Sequence, residues 1–296
     1  MRSIRFQPDW FPNGQFAGFF LAAENGYYEE YGFSVDFAGF GFGVDFVEEV
    51  VSKRAHFGTI ESYIFLDRVA KGEPLVAIGA VLATSPAGYI YLKSSGIEEF
   101  ADLKGRLLGV HNYAEGLVQL FEKEAGLTFG AVNLKKVEHD LSILLDGQVD
   151  AHQGFAIDEM LSLQKKTEEA VDILLFEELG LPMYSMVIYT SRETLAEEPE
   201  IVEGFLEATA KGWSKAIDQP EKAAVVISEK HPHPEVKDTI LAEQIKMIGD
   251  FINLDAANPK MRTELERWES MQKAFIQSGL LAEPVDLNTC VLNERD

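Results

Sequence analysis

The chain has 296 residues, of which 46% are hydrophobic and 25% are charged, and this composition predicts a globular protein with ample apolar core. Its formal net charge of −23 disfavours nucleic acid or an anionic membrane surface as a partner. The single cysteine, Cys290, excludes an internal disulfide and a cysteine-based metal site.

No segment reaches the roughly 20 consecutive apolar residues that a membrane-spanning helix requires. Met1-Arg2-Ser3 leads directly into a predicted strand, so the sequence predicts no signal peptide. The protein is therefore expected to be cytosolic, or to be a mature form that carries an added methionine.

Strands and helices alternate along the first two thirds of the chain, which is typical of an α/β protein with largely parallel sheets. The predicted strands are 4–7, 34–37, 56–59, 76–82, 89–92, 107–110, 134–137, 151–154, 173–176 and 184–189. The predicted helices between them include 16–23, 46–51, 63–71, 116–125, 140–146 and 157–166. From residue 194 the chain is predicted to be helical, with helices at 199–218, 220–228, 234–252 and 261–278.

Two lobes are expected, because residues 88–185 repeat the strand–helix rhythm of residues 1–85. The strands 89–92 and 186–189 bracket this middle block, as two crossover strands would. The predicted domains are a first lobe formed by residues 1–87 and 188–296 and a second lobe formed by residues 88–187.

A polar and aromatic loop, Asp9-Trp10-Phe11-Pro12-Asn13, follows the first predicted strand. Ligands of open α/β sheets usually lie at the carboxyl ends of the strands, so this loop is a candidate binding wall. Trp10 is able to stack on a heterocycle, an interaction worth about 1 kcal/mol beyond area burial, and the alternative is a core tryptophan.

Phe40 and Phe42 lie in the glycine-rich loop Gly39–Gly43 after the second predicted strand. Glycines allow the backbone to approach a ligand, and the two aromatic rings are able to close over it. The loop lacks the Lys-Ser/Thr ending of a phosphate loop. The alternative is a flexible loop with one buried phenylalanine.

Two glutamates stand at predicted helix starts near the binding edge, Glu61 in the first lobe and Glu115 in the second. Helix starts favour anions, and a carboxylate at each start disfavours sulfonate, taurine or nitrate as the ligand. The alternative is that each glutamate complements its helix dipole. Asn112 and Tyr113 precede Glu115 and are candidate ligand contacts.

Two elements resemble those of two-lobed periplasmic binding proteins of type II. Asp102–Val110 (DLKGRLLGV) resembles the segment that opens the second lobe, and Gly147–Ala151 (GQVDA) resembles the matching helix-to-strand segment. The resemblance implies two α/β lobes, each with a mostly parallel sheet flanked by helices, plus C-terminal helices.

The N-terminal segment is similar to thiamine-precursor binding proteins, which capture a formylated aminomethylpyrimidine for ABC transport. The similar residues are Asp9–Asn13, Gly18-Phe19, Ala22 and Gly26-Tyr27-Tyr28. The fungal pyrimidine synthases of thiamine biosynthesis share this pattern. The resemblance implies an ABC permease as partner, a periplasmic or membrane-anchored extracytoplasmic location, a monomer and no cofactor or metal.

The resemblance also implies that certain residues of the second lobe contact the ligand. Gly154-Phe155 and Glu159 match a family segment whose carboxylate faces the aminopyrimidine, but Ala156 and Ile157 replace its Trp and Asn. Tyr184 matches a tyrosine at the cleft. The full set of expected ligand contacts is Asp9, Trp10, Asn13, Phe40, Phe42, Glu61, Asn112, Tyr113, Glu115, Phe155, Glu159 and Tyr184.

An enzyme of the synthase kind is disfavoured. Those enzymes carry a lysine and a histidine on the helix after Gly58, where this chain has Ile60 and Ile64. Their cysteine-rich segment is also missing. Riboflavin or another flat heterocycle stays open as the ligand, and none of the six histidines has metal-helix spacing.

Overall fold

The computed structural model describes residues 1–41, 43–111, 115–138, 140–234, 236, 238–255 and 258–292. It divides into two compact units. The first comprises Met1–Ala83, Tyr184–Trp268 and Val285–Asp296, and the second comprises Thr84–Met183 and Glu269–Pro284. The sequence analysis assigned all of 188–296 to the first lobe, whereas 269–284 lie in the second unit. An apolar face on a helix does not say which core it covers, so the sequence could not give this boundary.

The first unit contains a five-stranded sheet in the order β2-β1-β3-β10-β4. Its strands are β1 (Arg2–Gln7), β2 (Phe33–Phe37), β3 (Phe57–Ile60), β4 (Leu75–Leu82) and β10 (Ser185–Ser191). β1 pairs in parallel with β2 and β3, while β10 runs antiparallel to both β3 and β4. The carboxyl ends of four strands therefore meet the start of β10 at one edge of the sheet.

Helices cover this sheet and supply the rest of its core. They are α1 (Ala17–Glu24), α2 (Phe46–Val51), α3 (Ser62–Ala70), α7 (Arg192–Glu197), α8 (Pro199–Asp218), α9 (Pro220–Lys230), α10 (Leu241–Ile248) and the start of α11 (Leu265–Gln277). α1 and α8 cross closely because each has a glycine at the contact: a Cβ on Gly18 would lie 2.3 Å from the Trp213 ring, and one on Gly212 would lie 2.0 Å from the Gly18 carbonyl oxygen.

The second unit has the same plan, with sheet order β7-β6-β8-β5-β9. Its strands are β5 (Ala87–Leu92), β6 (Leu107–Val110), β7 (Asn133–Lys136), β8 (Ala151–Phe155) and β9 (Val171–Leu175), and its helices are α4 (Glu115–Glu124), α5 (Ser142–Leu145) and α6 (Leu161–Gln164). β5 runs antiparallel to its neighbours β8 and β9, and β6 pairs in parallel with β7 and β8. The predicted α/β class with mostly parallel sheets is confirmed, with one reversed strand in each sheet.

The C-terminal helices differ from the prediction. The helix predicted at 234–252 is confined to α10, and the helix predicted from residue 261 begins only at Leu265. Met261 has a φ of +54°, in the left-handed region that a right-handed helix excludes. No helix in the described ranges is both long and apolar enough to cross a membrane.

Candidate functional site

Strand register brings several predicted site residues to one edge of the first unit. Gln7 at the end of β1 is level with Gly58 of β3, and Val187 of β10 is level with Ile60. Asp9 and Glu61 follow β1 and β3 directly, so both carboxylates are delivered to the carboxyl edge of the sheet, where α/β proteins usually bind ligands.

Asp9 is held by the neighbouring strand. The Thr59 hydroxyl donates a 2.6 Å hydrogen bond to its Oδ1 atom. Burial raises the pKa of the Asp9 carboxyl above its ordinary value, and the bond from Thr59 offsets part of that rise. Asp9 is therefore a poorly hydrated acid at the end of a central strand.

Glu61 precedes α3 and is held by the start of β10. The Ser185 hydroxyl donates to Glu61 Oε1 at 2.5 Å, and the Met186 N–H points at the same oxygen from 3.5 Å. Burial raises the pKa of the Glu61 carboxyl to about 7, and the nearby Asp9 charge adds to the rise. Met186 has a φ of +51°, an uncommon conformation for a side-chain-bearing residue, and such backbone strain concentrates at functional sites.

Three aromatic rings, Trp10, Phe11 and Phe40, pack together and form what we call the aromatic wall; Trp10 and Phe11 directly follow Asp9 in the chain. The Trp10 ring is 5.1 Å from Phe11 and 5.5 Å from Phe40, and Phe11 packs edge-on against Phe40 at 4.9 Å. Trp10 and Phe40 are only partly buried, so the wall retains accessible ring surface. Phe42, the other predicted aromatic contact, lies outside the described residues.

Two further predicted contacts in the first unit already have structural partners. Asn13 is buried, and its Oδ1 accepts from the Gln15 N–H as the cap of a short 3₁₀ turn. Tyr184 is 3% exposed, and its hydroxyl accepts from the Glu264 N–H at 2.9 Å. A direct ligand contact by either residue stays a prediction.

The second unit holds three predicted contacts that the structure describes. Phe155 ends β8, and its N–H donates to Glu159 Oε2 at 2.9 Å from one turn of π-helix, Ala156–Met160. π-Turns frequently occur at functional sites. Glu115 is exposed in the first turn of α4, where a carboxylate complements the helix dipole. Asn112 and Tyr113 lie outside the described residues.

A family model described as "NMT1/THI5 like" matches residues 13–223. The chain belongs to this NMT1/THI5-like family.

Three curated proteins that are similar in sequence to this chain have different functions. A 4-amino-5-hydroxymethyl-2-methylpyrimidine phosphate synthase from Legionella pneumophila is 25% identical over 76% of this chain and 72% of its own length. A formylaminopyrimidine-binding protein from Halalkalibacterium halodurans is 25% identical over 77% and 70%, respectively. The riboflavin-binding protein RibY from Chloroflexus aurantiacus is 21% identical over 99% and 86%.

Solved structures establish the fold. The periplasmic aliphatic sulphonate binding protein SsuA from Escherichia coli superposes with a TM-score of 0.75 over 99% of this chain and 92% of its own, at 16% identity. A second neighbour, from Candida albicans, is described as having the generic periplasmic binding protein fold and has a TM-score of 0.68 over 99% and 97% at 15% identity. The NMT1/THI5-like chain therefore has the periplasmic-binding-protein fold that its motifs predicted.

The site depends on residues that the sequence did not single out. Ser185 and Met186 reach Glu61 only because β10 pairs with β3, a contact between residues 124 or more positions apart. His233 packs its ring 4.5 Å from Phe11 although no strand or helix pattern points to it.

A groove elsewhere in the first unit is poorly suited to a charged ligand. Its volume is about 840 Å³, and its lining includes Tyr31, Glu207, Lys211 and Lys260. Lys260 lies 2.6 Å from Glu207, and Lys211 lies 2.6 Å from Glu30, so each ammonium is already paired with a carboxylate. Among the described residues no cluster of three or more His, Cys, Asp or Glu side chains has the geometry to hold a metal ion.

Proposed function

We propose that this NMT1/THI5-like protein is the extracytoplasmic solute-binding component of an ABC importer and captures a small heteroaromatic amine, such as a thiamine pyrimidine precursor. It acts as a monomer, without a cofactor, and delivers its ligand to a permease. The chemistry required is recognition by aromatic surface and a few polar anchors, with no group that transforms the ligand.

The observation that carries this proposal is the charge of the site. Asp9 and Glu61 are two partly desolvated carboxylates beside the Trp10–Phe11–Phe40 wall, and their hydrogen-bond donors are the hydroxyls of Thr59 and Ser185. Within the described ranges, no lysine or arginine forms an ion pair with either carboxylate. A flat cationic or amine-bearing ring supplies both the missing positive charge and a face for stacking.

The relatives support the same class of ligand. A formylaminopyrimidine-binding protein and pyrimidine phosphate synthases are both among the matched proteins, and both names refer to an aminopyrimidine. Two carboxylates suit an aminopyrimidine because one accepts from the exocyclic amine while the other pairs with a protonated ring nitrogen. A sulfonate would place its negative charge against these acids, so the SsuA neighbours support the fold alone.

A different flat heterocycle, such as riboflavin, is the second candidate ligand. The riboflavin-binding relative matches almost the whole chain, and Ala156 and Ile157 replace the larger Trp and Asn of the aminopyrimidine-binding pattern. Ala156 and Ile157 are buried in the π-turn. The smaller residue at 156 favours a wider site than the pyrimidine binders need.

Catalysis of the synthase kind is disfavoured by two positions. By the resemblance, the synthases have a lysine and a histidine at the positions of Ile60 and Ile64. In this chain Ile60 is fully buried in β3, and Ile64 lies on α3. Without the lysine amine there is no Schiff base for pyridoxal phosphate, and without the histidine there is no internal donor. Binding without turnover is the function that these residues support.

The direct test is a thermal-shift screen followed by calorimetry. The compounds are 4-amino-5-hydroxymethyl-2-methylpyrimidine, its formylaminomethyl relative, thiamine, riboflavin and taurine. Ligand at 100 times its Kd adds about 2.7 kcal/mol to the free energy of unfolding, so a true ligand raises Tm clearly. A pyrimidine shift that is weakened by both Asp9→Asn and Glu61→Gln supports the proposal, whereas a shift with taurine alone overturns it.

A further inference from the structure

Three residues from the end of α9 to α10 contact the loop and helix that follow β1. They are His231, His233 and Gln244, and we call them the C-terminal clamp. Each contacts a different point of the N-terminal segment between Phe11 and Phe20. The clamp and the segment it touches are both in the first unit.

His233 packs against one residue of the aromatic wall. Its ring centre lies 4.5 Å from that of Phe11, with the two planes inclined at 37°. Phe11 in turn packs against both Trp10 and Phe40, so the position of His233 bears on every member of the wall. Aromatic contacts of this kind contribute about 0.5–1.5 kcal/mol each beyond area burial.

His231 and Gln244 fix the segment further along. The His231 ring stacks on Phe20 at 3.8 Å and 15°, and it meets Phe37 edge-on at 5.5 Å. Gln244 is buried, and its Oε1 accepts from the Gly14 N–H at 2.8 Å. A Cβ on Gly14 would lie 2.7 Å from that oxygen, so only glycine allows this close approach without a shift.

We propose that His233, alone among the clamp residues, is a positioning residue that sets the Trp10–Phe11–Phe40 wall and thereby the specificity for the ligand ring. This inference rests on the proposed function for the role of the wall. His233 lies after residue 223, where the family match ends, so it would add a determinant of specificity outside the matched region.

The physical advantage of the clamp is preorganisation. A loop that is already held in its binding conformation loses less conformational entropy when the ligand arrives, so more of the stacking energy appears as affinity. Phe11 connects His233 to the rest of the wall, because its ring contacts both His233 and Trp10.

The experiment compares His233→Ala, His233→Phe and His231→Ala in the full chain. The first readout needs no ligand: the emission of Trp10, obtained as the difference between each variant and the same variant carrying Trp10→Phe. Trp213 and Trp268 are fully buried, so their emission forms a constant background. The second readout is the Kd of the formylaminomethyl pyrimidine by calorimetry, and the third is Tm.

His233→Ala is expected to shift Trp10 emission to longer wavelength and to weaken pyrimidine binding about five- to tenfold, the loss of one aromatic contact. His233→Phe, which keeps an aromatic ring, restores both values. His231→Ala lowers Tm through its packing on Phe20 but leaves the Trp10 emission and the Kd near the wild-type values.

The inference is overturned if His233→Ala leaves Trp10 emission and Kd unchanged, or if His231→Ala alters both as strongly. Failure of the proposed function has a different signature. In that case the wild-type protein binds none of the pyrimidines, while the ligand-free Trp10 emission still reports whether His233 sets the wall.

Discussion

The Ser185 hydroxyl donates a 2.5 Å hydrogen bond to Glu61 Oε1 and so joins the first residue of β10 to the residue before α3. This bond holds in place a carboxylate whose pKa is raised to about 7 by partial desolvation, with a smaller contribution from the charge of Asp9. A single neutral hydroxyl does not compensate fully for the lost hydration of a carboxylate. A raised pKa predicts that ionised Glu61 costs the folded state stability as the pH rises above about 4.5, and such a cost is expected of a group kept for function.

Replacement of Glu61 by glutamine is expected to stabilise the ligand-free protein at alkaline pH. The folded pKa of about 7 lies above the ordinary value of 4.5, so the folded state loses stability as pH rises between these values. Above pH 7 the full difference, about 3 kcal/mol at most, applies, and the amide removes it. Thermal unfolding at pH 8 should show a higher Tm for Glu61→Gln than for the wild type.

The matched control for this prediction is Glu115→Gln, which changes an exposed glutamate in the first turn of α4. It should not reproduce the gain at pH 8. Well below pH 4.5 the advantage of Glu61→Gln should vanish, because the wild-type carboxyl is then protonated in the folded and unfolded states alike. An equal gain at every pH would show that titration of Glu61 is not its origin.

Ligand binding is expected to release a proton. A bound amine favours the ionised form of Glu61, whereas about half of the free sites hold a proton at pH 7. For a ligand that does not titrate in this range, affinity should rise about tenfold from pH 6 to pH 8. Asp9, with its raised pKa, acts in the same direction. Calorimetry in buffers of different ionisation enthalpy measures the proton count.

Glu61→Gln serves as the reference for this pH dependence, because the amide does not titrate and the rise should flatten. A wild-type Kd that is constant between pH 6 and pH 8 would mean that Glu61 does not change its protonation on binding. Tyr189 also lies near Asp9, but burial raises its pKa far above this range, so it does not contribute.

Glu159→Gln is expected to weaken aminopyrimidine binding while leaving Tm nearly unchanged. The amide oxygen is still able to accept the Phe155 N–H, as the carboxylate does at 2.9 Å, so the π-turn keeps its cap. The resemblance implies that the Glu159 carboxylate faces the aminopyrimidine, and the loss of its negative charge would cost about tenfold or more in affinity if it forms a charge-assisted bond with the ligand. Unchanged affinity by calorimetry would remove Glu159 from the site.

Gly18→Ala is expected to destabilise the first unit by about 1–3 kcal/mol or more, because the new methyl group would overlap the fully buried Trp213 ring. Gly39→Ala is the matched control, since a Cβ there meets no atom within 4 Å and the backbone needs no positive φ. Chemical denaturation measures both variants. Equal stability of the two would contradict the close crossing of α1 and α8.

Much of the fold was predictable because the relevant signals are local. Apolar residues indicate the strand Arg2–Gln7, and the proline at its start together with apolar periodicity indicates the helix Pro199–Asp218. A cluster of polar residues indicates the turn after the first strand. The extent of α10 was not predictable, because the apolar pattern continues through residues whose backbone is not helical. At the C-terminal end of the predicted helix, Ile252 forms an isolated bridge with Leu82, and the Asn253 N–H donates to the Val81 carbonyl, so these backbone groups pair with β4 and not within a helix.

The sequence by itself determined the α/β class and the placement of Asp9 and Glu61 after strands, since these follow from residue type and spacing along the chain. Only the tertiary structure decided that Thr59 and Ser185 hold the two carboxylates, that burial raises their pKa values and that His233 supports Phe11. Hydrogen bonds between distant residues and the loss of hydration depend on which strands become neighbours. That pairing is settled by the packing of the whole unit, which no local pattern encodes.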